Sequence, residues 1–574
     1  MRKFLIVTST AAMALILSGK AFAENDQFQP NQSTMAPQAA DSGSNSATVA
    51  PPEATASQGL VFSKETDQAK PIKPAEDIAV AEQLRDLIEN KLQQYVPRRQ
   101  DRAGVEAFYR KRDFAPLWVS AGKPLPRVQQ AADFLHGVAA DGLDPEDYPT
   151  PHFADANPSR LAADELALTN SVVAFVRHAS TGRVAFTRVS GSIYFDLKAP
   201  DLEEVLEKIA ASKNLRATLD SFNPQQPQYK TLKAELASAR RSQGAEPDTA
   251  APKGKGAAAR GKDRGEPKSQ AARIDTIIAN MERWRWLPHE LGAAYVMVNV
   301  SDYTLKAVNL GKTAWSTRIV VGKPGKYATP LLTETMKYIT VNPTWNVPPS
   351  IIRNEYLPAL ERDPGALARV GLKIGHNSDG SIRIYQPPGE RNALGRIRFN
   401  FPNRFLVYQH DTPDKNLFEK TARAYSHGCM RVQNPDQYAE VLLSISQPEE
   451  GYSAQRIRLL YGTGERTINF KNQIPVYITY QTAFVDDAGQ LQTRPDIYGL
   501  DKDITNLLKS ESQVADIPIS RNYSSGSKPM MAHIPSRRRN KVADESFGGG
   551  PGWALNYSQS GRSAYGPFDL FRVW

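Results

Sequence analysis

Residues 295–300 (Tyr295-Val296-Met297-Val298-Asn299-Val300), 304–310 (Thr304-Leu305-Lys306-Ala307-Val308-Asn309-Leu310) and 315–321 (Trp315-Ser316-Thr317-Arg318-Ile319-Val320-Val321) are β-rich runs parted only by Ser301-Asp302 and Gly311-Lys312. Just upstream, Ile274, Ile277, Ile278, Met281 and Trp284 recur at helical spacing. The change of period from three-and-four to two marks one amphipathic helix followed by a β-meander. Runs at 338–341, 405–408, 457–460 and 476–480 continue the sheet. Residues 344–398 interrupt it with prolines, glycines and a helical stretch near 354–369. An insertion of that length inside a sheet domain reads as a lid or substrate cap.

Outward from this core the chain divides by composition. Residues 76–241 carry helical patterns, beginning with Ile78, Leu84, Leu87, Ile88, Leu92 and Tyr95 and ending the first helix at Pro97. Residues 242–270 hold no apolar side chain larger than alanine and read as a flexible linker. Residues 24–75, rich in Ala, Ser, Pro and Gln, read as a disordered tether, and 501–574 as a basic, largely disordered extension. Residues 1–23 have a signal-peptide pattern: Arg2 and Lys3, a short apolar run, then Ala21-Phe22-Ala23. That run is too short for a spanning helix, so the expectation is an exported, periplasmic protein with no transmembrane anchor after cleavage.

The 574 residues carry a net charge of +10 and one cysteine. One cysteine excludes internal disulfides, zinc ribbons and cysteine-bound iron–sulfur clusters. For an exported chain the basic balance suits an anionic envelope polymer or a membrane surface better than nucleic acid.

A lone thiol in an oxidising compartment needs either burial or a use. This one stands in Tyr425-Ser426-His427-Gly428-Cys429-Met430-Arg431-Val432, with a second histidine in Tyr408-Gln409-His410-Asp411. His427 and Arg431 favour a thiolate, and Gly428 gives the backbone access to a substrate. Either His410 or His427 could serve as base, and successive N–H groups near Gly428 could hold an oxyanion. A zinc site from His410, His427 and Cys429 lacks a fourth ligand at normal spacing, and a buried structural cysteine is the plain alternative. Asp411, beside His410 on a strand end, points to the opposite face, so a backbone partner for His410 is expected. Trp284 and Trp286 read as core, and His289, His376 and His533 as exposed and without a role.

Ser426-His427-Gly428-Cys429-Met430-Arg431, preceded at this distance by His410, resembles the signature of the L,D-transpeptidase family with its YkuD-type catalytic domain. Met281-Glu282-Arg283-Trp284-Arg285-Trp286, Asn342-Pro343-Thr344-Trp345-Asn346-Val347-Pro348, Pro388-Gly389 with Asn392-Ala393-Leu394-Gly395, and Phe401-Pro402-Asn403 resemble the family's large periplasmic, YcbB-like branch. Phe108-Tyr109 through Leu117-Trp118, with Asp141-Gly142-Leu143, are similar to that branch's scaffold domain.

The resemblance implies an α+β multidomain chain: a helical scaffold domain at 76–241, then a mixed β-sandwich catalytic domain at 271–500 with a cap at about 344–398. It implies a cysteine-dependent acyltransferase acting on peptidoglycan stem peptides and forming 3→3 cross-links through a thioester, without metal or organic cofactor. Cys429 would be the nucleophile and His410 the general base. His427 and the Gly428 backbone would belong to the oxyanion hole, Arg431 and Tyr408 would shape the site, and Trp345 would lie at the cap. Hydrolysis, attachment of an outer-membrane protein to peptidoglycan, or a non-catalytic peptidoglycan-binding role are the alternatives. The branch often carries a small peptidoglycan-binding module where this chain has only 242–270.

Overall fold

The computed structural model describes residues 75–244, 270–462 and 464–510. The expected signal peptide, and nearly all of the tether, the linker and the C-terminal extension, lie outside them.

The N-terminal part is helical: α1 (Ala75–Tyr95), α2 (Arg99–Lys111), α3 (Pro126–His136), α4 (Pro158–Thr181), α5 (Leu202–Ala210) and α6 (Leu215–Asp220). Val80, Leu84, Leu87, Ile88 and Leu92 line the buried stripe of α1, which lies on α4. Helix α4 starts where Asn157 accepts from the Ser159 N–H ahead of Pro158, and it is buried along most of its length. Its Glu165 is fully buried and accepts from the Leu117 and Trp118 N–H groups and the Tyr109 hydroxyl. These residues share one core with Trp118, Phe134, Tyr148 and Phe175.

The sheet begins inside this region. β1 (Ile193–Tyr194) pairs with a strand of the catalytic part, and α7 (Pro227–Gly244) packs on α8 (Gln270–Arg285). Phe186, Ile193, Phe195, Tyr229, Leu232 and Leu236 therefore belong to the second core, with Trp284 and Trp286. Within the region expected to be scaffold, the 186–195 stretch and the stripe of α7 thus pack into the catalytic core, whereas Val205, Leu206, Ile209, Leu215, Leu219 and Phe222 stay in the helical core.

The meander is β2 (Ala294–Asn299), β3 (Thr304–Asn309) and β4 (Lys312–Gly322), in antiparallel register with Tyr295 opposite Val308 and Leu305 opposite Thr317. β5 (Leu331–Val341) follows. The cap then supplies its own small sheet of β6 (Trp345–Asn346), β7 (Lys373–His376) and β8 (Ile382–Gln386). β9 (Ile397–Asn400), β10 (Gln409–His410), β11 (Ala424–Ser426), β12 (Met430–Val432) and β13 (Arg466–Thr479) complete the main sheet. The order β9-β10-β12-β4-β3-β2-β13-β5 returns to its start, because β5 also pairs with β9. The sheet is mixed, with β10–β12, β13–β2 and β1–β5 parallel. It closes around a core containing Val296, Ile319, Ile339, Phe399, Met430 and Ile478, with α9 (Pro435–Ser446) against it.

Three local expectations are corrected. Residues 405–408 form a turn: both side-chain polar atoms of Asn403 bond backbone at Phe401, Phe405 and Val407, and Leu406 takes a left-handed φ of 57°. Ser453 caps a short helix, α10 (Ala454–Arg458), where a strand was expected at 457–460. Order also runs past 500 as α11 (Leu500–Lys509), whose Leu500 and Ile504 are buried and whose Asp501 pairs with Arg283 at 2.6 Å.

The cap has a core of its own, comprising Trp345, Val347, Ile351, Tyr356, Leu367, Leu372 and Ile384. A wide π-helical turn, Ile352–Tyr356, lies at its centre.

Candidate active site

Strands β10 and β12 run parallel, with Gln409 opposite Met430 and His410 opposite Arg431, and the Met430 N–H donates to the Tyr408 carbonyl at 3.1 Å. Side chains alternate across a strand, so Tyr408 and His410 share a face with Cys429 and Arg431. Gln409 and Met430 point the other way, where Tyr438 donates to Gln409 at 2.8 Å in the core. Two short parallel strands thus gather four of the seven residues singled out in the sequence.

His410 is buried, and its Nδ1–H donates to the carbonyl of Asp411, which leaves Nε2 as the ring's lone-pair nitrogen. The expected backbone partner is present. The Asp411 carboxylate accepts from the Arg396 and Thr412 N–H groups at 2.8 and 2.7 Å and pairs with Lys415. Its carbon lies 2.4 Å from where a Cβ at Gly395 would sit, and Gly395 has φ +58°. Only glycine leaves room there for the carboxylate that fixes this corner.

The electrostatics favour neutral partners at rest. Burial, then the Arg431 charge, holds His410 down to about 3. Burial pushes the Cys429 thiol up to about 11, against the opposing pull of Tyr408, Arg398 and Arg431. The Tyr408 hydroxyl is hydrogen-bonded both to the Cys429 sulfur and to Trp345 of the cap, so the cap reaches the thiol through one phenol. Arg431 is buried and donates to Asp414 at 2.9 Å.

The loop before Cys429 is tied by Ser426, whose hydroxyl donates to the Cys429 carbonyl at 2.6 Å and accepts from the Gly428 N–H at 3.1 Å. Gly428 has φ +115°, and its carbonyl accepts from Thr329 at 2.9 Å. The Gly428 N–H, expected at the oxyanion hole, is turned onto Ser426. His427 does not join His410. Its Nε2–H donates to Glu355 of the cap at 2.9 Å, and its ring stands edge-on to Tyr327 at 4.2 Å.

Ser426, Asp414, Arg398, Tyr327 and Glu355 were not singled out in the sequence. Ser426 was within the motif and could have been read as its turn former. The others come from distant segments and had no local signal. His289, expected to be exposed, is half-buried, and burial pushes its imidazole down.

Residues 293–478 match the family model of the L,D-transpeptidase catalytic domain, and residues 103–236 match the Scaffold domain. The chain thus carries an L,D-transpeptidase catalytic domain preceded by a scaffold domain. A Haemophilus influenzae protein named as an L,D-transpeptidase is 30% identical over 256 residues, covering 42% of this chain. The chain spans about half (50%) of the length of that relative. Among solved structures, an L,D-transpeptidase from Mycobacterium smegmatis is 13% identical over 33% of this chain and 58% of its own, with a TM-score of 0.18. L,D-transpeptidase 3 from Mycobacterium tuberculosis is 12% identical over 33% and 61%, with a TM-score of 0.17.

Proposed function

We propose that this chain is an exported peptidoglycan L,D-transpeptidase that forms 3→3 cross-links through a thioester on Cys429. The carrying observation is the common face of Cys429 and His410 on the parallel pair β10–β12, beneath the cap, with the His410 lone pair at Nε2. A family catalytic domain over 293–478 supports the same reading.

With both groups neutral at rest, the thiol proton passes to His410 Nε2 as sulfur attacks, rather than before. The carbonyl attacked joins the third stem residue, a diaminopimelate, to the terminal D-alanine. The C–N bond then breaks, the D-alanine amine leaves with the proton from His410, and the acyl group stays on sulfur. A side-chain amine of a second stem attacks the thioester, gives its proton to His410, and the thiol reforms. The positive field of Arg398 and Arg431 favours the developing thiolate. The Cys429 and Gly428 N–H groups are the backbone donors for the forming oxyanion in this reading, the latter exchanging its bond to Ser426 for it. Tyr408 and Trp345 hold the sulfur and the cap in register. Exclusion of water by the cap favours an amine acceptor over hydrolysis, and so over the peptidase alternative. Residues 1–23 would direct export to the periplasm. Among the described residues no helix is long and apolar enough to cross a membrane.

The test is mass spectrometry of muropeptides after incubating the full chain with tetrapeptide-bearing peptidoglycan. Dimers joined through two third-position residues are expected. Tripeptide monomers alone would reassign the enzyme as a peptidase, and no change in muropeptides would leave a binding protein.

A further inference from the structure

The cap meets the catalytic loop through a charged contact. Glu355 sits in the π-helical turn Ile352–Tyr356, a geometry frequent at functional sites. The next residue, Tyr356, is buried in the cap core, which anchors the turn. The Glu355 carboxylate then faces out of the cap. One of its oxygens, Oε1, accepts from His427 Nε2 at 2.9 Å and from the Tyr327 hydroxyl at 3.2 Å. Tyr327 lies between β4 and β5 and is in edge contact with the His427 ring, while Lys323 adds positive charge nearby. Three segments distant in sequence, the cap, the β4–β5 connection and the cysteine loop, therefore converge on one carboxylate. A merely solvated acid would need no such partners.

We propose that Glu355 is a positioning residue that latches the cap to His427 and thereby holds the Cys429 loop covered and in register. The proposal rests on Cys429 as the reacting group. His427 is fixed with its Nε2–H toward the cap, and Gly428-Cys429 follow it directly in the chain. Releasing Glu355 frees the far arm of the cap, while the Trp345–Tyr408 contact still holds its root. The latch thus sets how long the thioester is shielded from water.

Cys429 is the one cysteine of the chain, so alkylation by iodoacetamide reports a single thiol. The full chain, E355A, E355Q and Y327F are alkylated at one pH, with thermal melting followed in parallel. E355A is expected to react about tenfold faster than wild type, the shift that loss of one charge-assisted hydrogen bond produces in a two-state cap. E355Q and Y327F, each keeping part of the contact, should lie between. With stem peptides, E355A should give a larger share of tripeptide relative to dimer. Equal alkylation rates in wild type, E355A and E355Q at unchanged melting temperature overturn the latch. Should E355A unfold, E355Q and Y327F carry the comparison, and rates equal to wild type in both overturn it. Alkylation needs no transpeptidation, so an absence of acyl-enzyme on stem peptides would remove the proposed function while the latch is still decided.

Discussion

Cys429 and His410 share a face, yet their surroundings hold the thiol up to about 11 and the imidazole down to about 3. The alkylation rate of the resting protein should therefore climb through alkaline pH, with a midpoint near 11. A midpoint below 8 would establish a preformed thiolate–imidazolium pair instead. The same depression of His410 has a consequence for folding. An unfolded histidine takes up a proton near pH 6.5, and the native one refuses it down to about 3. Across that window the unfolded chain binds more protons, so stability falls as pH drops, by at most about 1.4 kcal/mol per pH unit from this group. In His410→Gln the loss of melting temperature between pH 6.5 and 4 should be smaller than in wild type. Cys429→Ala should abolish acyl transfer and change stability by less than about 1 kcal/mol, since the side chain is small and part-exposed. A large fall in its melting temperature would return the cysteine to a structural role. Gly395→Ala acts on the same corner from outside. Its Cβ would overlap Asp411, so single-turnover acylation should slow at least tenfold, and an unchanged rate would mean that Asp411 does not steer His410.

At the scale of elements, the cap and α4 make separate demands. The cap has its own core and touches the site at Trp345 and Glu355. Shortening it within 344–398 should raise the ratio of tripeptide to cross-linked dimer while Cys429 still acylates. An unchanged ratio at fixed acyl-enzyme turnover would show that acceptor choice lies elsewhere. In α4, Glu165 is the acceptor for two backbone N–H groups and the Tyr109 hydroxyl. Burial pushes its carboxyl up to about 7. Glu165→Ala leaves those donors buried and unpaired, at a cost of about 2–4 kcal/mol in chemical denaturation. A cost near zero would mean that water replaces the carboxylate.

Across the whole molecule, the helical part and the catalytic part are joined by charge as well as by packing. Glu282 and Arg285 of α8 are both fully buried and pair at 2.8 Å. Glu282 accepts from the Val184 N–H at 2.6 Å, and Arg285 donates to the Asp141 carbonyl and the Tyr229 hydroxyl. Removing one partner strands the other charge, which costs about 3–5 kcal/mol. Glu282→Ala should split the calorimetric unfolding of wild type into two transitions, the helical part separating from the sheet. A single transition shifted down as a whole would show that the two cores unfold as one regardless.

The sequence by itself determined what depends on neighbours along the chain. The alternation at 295–321 specified the meander, the apolar stripe of 84–92 specified the first helix, and the motif 425–432 with His410 pointed to the L,D-transpeptidase catalytic domain and to the pair proposed to react. The backbone partner of His410 was legible too, because a side chain adjacent on a strand cannot turn back to its neighbour's face. Only the tertiary structure decided the rest. The turn at 405–408 arises from Asn403 satisfying backbone that a strand would have paired. The packing of Phe186, Ile193, Phe195 and the α7 stripe into the catalytic core, and the order of 500–509, follow from apolar side chains that find cover only among segments distant in sequence. Glu355 reaches His427 across the fold, and neither residue's local sequence encodes that meeting. Periodicity records which face of an element is buried, whereas which faces meet is set by closure of the sheet and burial of the surfaces that remain.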